Sequence, residues 1–187
     1  MNTRSLCVLG TLSLLTPATL AAQVGVEIAA VGGLASGKAL KYGLGGNLVL
    51  FVPKTPLTIG ARVLRHWGDA SSLSGTTIVD EENDVTAWLG ELGLRTDAGG
   101  MEIGVTLNAG VAKFKQTRTP LGDTTRVSES SEFTFAPGLV GSLPLGPIRL
   151  GAEVHYFIGG DPGFTTAFDT RDFIFYFRWA YRFGGSR

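Results

Sequence analysis

The chain has 187 residues, enough for one domain, and its 16 basic and 16 acidic residues leave no net charge. That balance supplies no electrostatic pull toward nucleic acid, and a single cysteine excludes a disulfide within the chain. Only 17% of residues are charged and 27 are glycine. Mean hydropathy is positive, yet the one long apolar run lies at the N-terminus, which excludes a bundle of spanning helices and fits apolar residues dispersed along strands.

The first element is Met1-Asn2-Thr3-Arg4, an apolar stretch from Leu6 to Leu15, and the small residues up to Ala22. A basic start, a short apolar region and a small-residue end predict a secretory signal peptide over 1–22, cleaved after Ala22 or, alternatively, after Ala21. As a membrane anchor the run falls short of the ~20 residues a spanning helix needs. Cys7 lies inside this segment, too early for a lipoprotein attachment cysteine. The mature chain, 23–187, then has no thiol for a disulfide, a nucleophile or a metal.

The mature chain parses into eight strands: 23–32, 40–52, 57–67, 84–95, 100–114, 132–143, 148–158 and 171–183. Each shows period-two alternation. Typical apolar parities are Val24, Val26, Ile28 on the first; Leu57, Ile59, Ala61, Val63 on the third; Ile103, Val105, Leu107 on the fifth. The last strand is the strongest: Phe173, Phe175, Phe177, Trp179, Tyr181 and Phe183 alternate with Asp172, Ile174, Tyr176, Arg178, Ala180 and Arg182. Turn-forming tetrapeptides at 53–56, 96–99 and 144–147 join strands two to three, four to five and six to seven. Four-residue loops there pair Phe51 with Thr58, Arg95 with Gly100 and Ser142 with Arg149. The connections 68–83, 115–131 and 159–170 are longer and polar. Strict alternation of short and long connections predicts an all-β, eight-stranded antiparallel up-and-down barrel.

The second parity decides which face is inside. It carries Gly25, Gly43, Gly45, Gly60, Gly93, Gly104, Gly110, Gly138 and Gly151. Glycine weakens an exposed strand face but makes room inside a narrow barrel. The same parity carries charges at matching heights: Glu27, Arg62, Glu91, Glu153 and Arg178 near the middle, and Arg95, Glu102, Arg149 and Arg182 nearer the short turns. Glu27 with Arg178, Arg62 with Glu91, and Glu153 with Arg178 are placed to pair, as buried charges must. The aromatic parity therefore faces lipid in a transmembrane β-barrel; a soluble barrel with a solvated charged face is the alternative. Tyr42, Trp67, Trp88, Phe133, Tyr156, Trp179, Tyr181 and Phe183 lie near strand ends, as interfacial girdles do.

At this point the chain resembles the small eight-stranded bacterial outer-membrane barrels, the OmpA transmembrane domain and OmpX-like group. The resemblance rests on architecture and covers the whole mature chain. It implies a final strand read by the barrel-assembly machinery, with Trp179, Tyr181 and Phe183 matching the alternating aromatic signal; Gly184-Gly185-Ser186-Arg187 follows Phe183. Implied partners are outer-membrane lipids, lipopolysaccharide, the assembly machinery and periplasmic chaperones. The expected location is the outer membrane of a Gram-negative-type envelope, and the expected state a monomer with no nucleic-acid partner.

No catalytic, cofactor or metal residues are assigned. His66 and His155 lack the His-x-Ser pair that lipid A deacylases of this size use, and are read as interior hydrogen-bonding residues. Asp80-Glu81-Glu82-Asn83-Asp84 lacks the spacing and glycine of a calcium loop and reads as a solvated acidic loop. The expected function is structural, with a side-chain-plugged interior. The alternatives are a narrow porin-like pore or hydrophobic-ligand conduit, and a surface adhesin acting through the long loops.

Overall fold

The computed structural model describes residues 24–37, 40–74, 77–122, 124–160 and 171–184. The expected signal peptide 1–22, the turn signal at Asp161-Pro162-Gly163 and the tail 185–187 lie outside the described residues. Eight strands are present: β1 (Gly25–Ala35), β2 (Tyr42–Phe51), β3 (Leu57–Ser74), β4 (Thr77–Ala98), β5 (Met101–Pro120), β6 (Arg126–Leu145), β7 (Ile148–Gly159) and β8 (Arg171–Phe183). Each pairs antiparallel with its sequence neighbour, and β8 closes on β1. Following partners once around from Leu143 through Leu150, Trp179, Ala30, Gly46, Val63, Trp88 and Val111 returns to β6 at Phe133. That offset from residue 143 to 133 is the shear that tilts the strands by ~40°.

The barrel is inside out relative to a soluble one. Arg62, Arg95, Arg178 and Glu27 are fully buried. Trp88, Leu92, Phe175, Phe177 and Trp179 are more than half exposed. On β8 the outward run from Phe173 to Phe183, at ~3.4 Å per residue and ~40° tilt, covers ~25 Å, the height of the apolar band of such barrels. Tyr42 pairs with Trp67 at the long-loop end, and the Tyr181 and Phe183 rings meet at 4.6 Å at the other.

Two of the three short-turn registers differ from expectation. Phe51 pairs with Thr58 as expected. Arg95, however, pairs with Gly104, not Gly100, and Ser142 with Gly151, not Arg149. The reason is turn chemistry. Gly99 and Gly100 both have positive φ, 60° and 86°, so a two-residue turn closes β4 onto β5. Gly146, φ 67°, and Pro147 do the same between β6 and β7. Both slips are even numbers of residues, so every side chain keeps its face.

The larger correction concerns the long connections. Residues 68–74 and 77–83 belong to β3 and β4, and 115–120 and 126–131 to β5 and β6. The ladder continues in register to Ser74 with Thr77 and to Arg118 with Arg126. Leu121 N donates to Ile78 O at 3.0 Å and ties the two hairpin tips together. Beyond the apolar band the barrel wall thus rises as a four-stranded sheet. The acidic stretch 80–84 is strand, not loop: Glu81 and Asn83 are buried inside, while Asp80 and Glu82 are exposed outside.

Candidate functional site

Among the described residues, the interior is where charge is removed from water, and it is built in layers along the barrel axis. Period-two geometry aims alternate residues of every strand at the axis, so each layer draws side chains from facing strands.

The layer at the short-turn end centres on Glu27 of β1. Its Oε1 accepts from Arg95 Nη1 at 2.9 Å and from Arg178 Nη2; its Oε2 accepts from Arg182 Nη2 at 2.8 Å and Nε at 3.1 Å. Arg182 also reaches Glu102 at 2.8 Å. The Arg182 guanidinium lies 3.8 Å from the centroid of the Phe51 ring, a cation–π contact at the barrel mouth.

The next layer holds Glu91 and Glu153. Glu91 Oε2 accepts from Arg62 Nε at 3.1 Å and Nη2 at 3.0 Å and from Asn47 at 3.1 Å, and Oε1 from Arg95 at 3.2 Å. Glu153 pairs with Arg62 at 2.6 Å and with Arg178 at 2.8 Å. Every arginine of these two layers bridges at least two carboxylates. Such connectivity offsets the several kcal/mol that each buried ion costs, because charge-assisted bonds use most donors and lone pairs.

Eight of the nine charged residues expected inside are therefore joined. Arg149 is not. It sits at the rim of β7, and its Nη1 donates to the Gly146 carbonyl at 3.3 Å. Register explains this: Arg149 pairs with Pro144 and Ala180, beside the β6–β7 turn, which puts it below the acids rather than among them.

Both histidines lie in the interior above the charges. His155 Nε2 meets Glu153 Oε2 at 2.9 Å and its Nδ1 meets Asn108 Nδ2 at 3.2 Å. An amide donor on Nδ1 and a carboxylate on Nε2 select the tautomer protonated at Nε2. His66 Nε2 meets the Tyr176 hydroxyl at 2.6 Å. The Glu153–His155 pair has almost no exposure. Among the described residues no group of His, Cys, Asp and Glu is arranged to hold a metal ion.

The outer half of the interior was not foreseen from the sequence. Val31, Leu40, Leu64, Val85, Ala87, Leu89, Ala112, Phe114, Ala136, Phe157, Ile174 and Tyr176 form one buried apolar cluster. Apart from Leu40, which precedes β2, these residues lie on the same parity as the arginines. Its signal was present as apolar residues on both parities of 85–92 in β4, 109–114 in β5 and 173–177 in β8. Above this cluster the interior turns polar again: Gln116 donates to Asn83 at 3.2 Å and Arg118 to Glu81 at 3.0 Å. Asp172 accepts from Ser36 Oγ and from Gly37 N at 2.6 Å, holding the β1–β2 connection to β8.

No protein-family model matches the chain, and no curated protein matches it in sequence. Solved structures share its fold. A major outer membrane protein from Thermus thermophilus superposes with a TM-score of 0.65 at 15% identity, over 86% of this chain and 99% of that one. Ail, the attachment invasion locus protein of Yersinia pestis, crystallised with the heparin analogue sucrose octasulfate, superposes with a TM-score of 0.50 at 12% identity, over 86% and 97%. An apolar exterior, an interior of paired charges and packed apolar residues, and a closed ring of eight antiparallel strands mark a membrane-spanning β-barrel with the fold of these outer-membrane proteins.

Proposed function

We propose that this protein is a structural outer-membrane barrel with a closed interior and no catalytic role. One observation carries the reading: two seals of different chemistry lie in series along the axis. Arg62, Arg95 and Arg178 are at most 1% exposed within the ion-pair layers, and the apolar cluster of Leu64, Val85, Phe114, Phe157 and Ile174 follows. An ion would have to displace paired charges and then cross a dry layer, where its desolvation is costly. The reading favours a closed wall over a porin-like pore or a hydrophobic-ligand conduit.

The test is single-channel recording of the refolded protein in planar bilayers. The expected trace stays at the background of the bare membrane. Reproducible conductance steps from the unmodified protein would overturn the closed reading and favour the pore.

A second reading is surface attachment, and one observation favours it. The β3–β6 extension is a continuous paired ladder, and its tip exposes Ile78, Leu121 and Val127. Loss of cell binding on shortening this sheet, with the barrel still folded, would support it. The outward aromatics Trp179, Tyr181 and Phe183 of β8 support a role as the strand presented to the assembly machinery and its chaperones.

A further inference from the structure

Among the described residues, every ladder of the barrel but one runs without a gap. The exception is β6–β7. Its pairing holds at Phe135 with Ile158, lapses, and resumes at Gly138 with His155. The register places Pro137 opposite Tyr156 inside the gap. Gly160 N donates to Phe133 O at 3.1 Å. Hydrogen-bonded pairs recur at every second residue of an antiparallel ladder, so position 137 is one that donates to β7. Proline has no N–H to donate, and the Tyr156 carbonyl loses its ladder donor.

The gap lies within the lipid-facing wall. Phe135 and Leu139 flank Pro137 on the outward face of β6, and Val154 and Ile158 flank Tyr156 on that of β7. No water is present there to replace the missing bond. Small residues alone do not interrupt a ladder: Gly33 pairs with Gly43 and Val31 with Gly45 in the unbroken β1–β2 ladder.

Little else joins the two strands at this place. A cavity of about 950 Å³ runs along the outside of the seam past Leu139, Gly141, Ala152 and Val154. Gly141 and Ala152 are a cross-strand pair, and a Cβ at Gly141 would touch nothing within 4 Å. That pair supplies almost none of the side-chain contact that stabilises neighbouring strands. The Tyr156 ring meets Phe173 of β8 at 4.7 Å, and Asn108 Nδ2 of β5 donates to the Ala136 carbonyl at 3.1 Å. Each strand is thus held by its other neighbour. Behind the gap stand Ala136 and Phe157, both in the buried apolar cluster. Parting the strands here shows apolar side chains to lipid tails that are equally apolar.

We infer that the β6–β7 seam is where the barrel wall opens first, parting sideways toward lipid at Pro137 and Tyr156. Such an opening reaches the apolar half of the interior and leaves the ion-pair layers closed. The inference is independent of whether the interior conducts.

Amide hydrogen exchange of the full-length protein in lipid nanodiscs, followed by NMR, tests it. The Tyr156 and Ile158 amides exchange about tenfold faster than those of Leu92 and Leu107, a pair in the unbroken β4–β5 ladder. Urea well short of unfolding leaves the fast rate unchanged, as local opening requires. Pro137→Val restores the donor and slows these amides to the Leu92 rate. Pro144→Val, beyond the last β5–β6 pair, leaves them fast. If Pro137→Val gives no heat-modifiable gel band, Pro137→Ala replaces it. Equal exchange at Tyr156 and Leu92 in the unmodified protein overturns the inference. So does an unchanged rate in the Pro137 variant, or a Tyr156 rate that follows global unfolding in urea. Equal slowing by Pro144→Val would assign the effect to general stiffening and overturn it too.

Discussion

The two halves of the interior close the same barrel by opposite means. Toward the short turns, Glu27, Glu91, Glu102 and Glu153 interlock with Arg62, Arg95, Arg178 and Arg182. Toward the long-loop end, Leu64, Val85, Phe114, Phe157 and Ile174 pack as they would in a soluble core. The lesson is that a lipid-facing exterior does not dictate a polar interior. It requires only that buried polar groups be paired, and apolar packing meets that requirement as well. The halves should also fail differently. Removing one charge from the network strands its partners, whereas trimming the apolar half leaves a dry cavity.

The sharpest test of that contrast is Arg178→Ala. It takes one arginine partner from each of Glu27 and Glu153 and leaves the buried network one positive charge short, so stability should fall by ~3–5 kcal/mol. The loss is read from the urea midpoint of the heat-modifiable band in lipid vesicles. An unchanged midpoint would mean that the remaining arginines satisfy both acids. Phe114→Ala in the other half should cost ~3 kcal/mol through lost burial and an unfilled cavity, with no conductance appearing. Conductance from Phe114→Ala would show that the apolar layer is the principal seal.

Tyr176→Phe probes the boundary between the halves. It deletes the hydroxyl that meets His66 Nε2 and should cost ~1 kcal/mol, measured by the same midpoint. The smallest effect lies outside the membrane. Lys113 holds the Glu129 carboxyl below the usual carboxylate range, and Lys41 does the same for Asp69. For a depressed carboxylate the pairing is fully present above the ordinary carboxylate pKa and is lost as pH falls through the lowered value. The Glu129 carboxyl titration followed by NMR should therefore shift upward in Lys113→Ala. No shift would show that the pair is absent in solution.

Much of the fold was legible in the residues alone, and the reason is physical. Alternation along β8 from Phe173 to Phe183, glycines on the opposite parity, and short turns such as 53–56 all depend on local backbone geometry. Lipid supplies a strong contrast between the faces. Where that contrast ends, so does the signal. Both faces of 80–84 and 115–119 are polar, so the extension of β3 to β6 could not be told from loop. The partners of Glu27 and Arg178 were legible because adjacent strands bring them together. Arg95 reaching Glu27 across the barrel was not, and neither was the isolation of Arg149.

The sequence by itself determined the strand number, the up-and-down order and the face that each side chain presents, because those follow from period and turn residues. Only the tertiary structure decided the exact register at Gly99-Gly100 and Gly146-Pro147, the height to which the sheet rises, and the apolar seal above the ion pairs. Those depend on shear and on contacts across the closed barrel, which bring together residues that no local pattern relates.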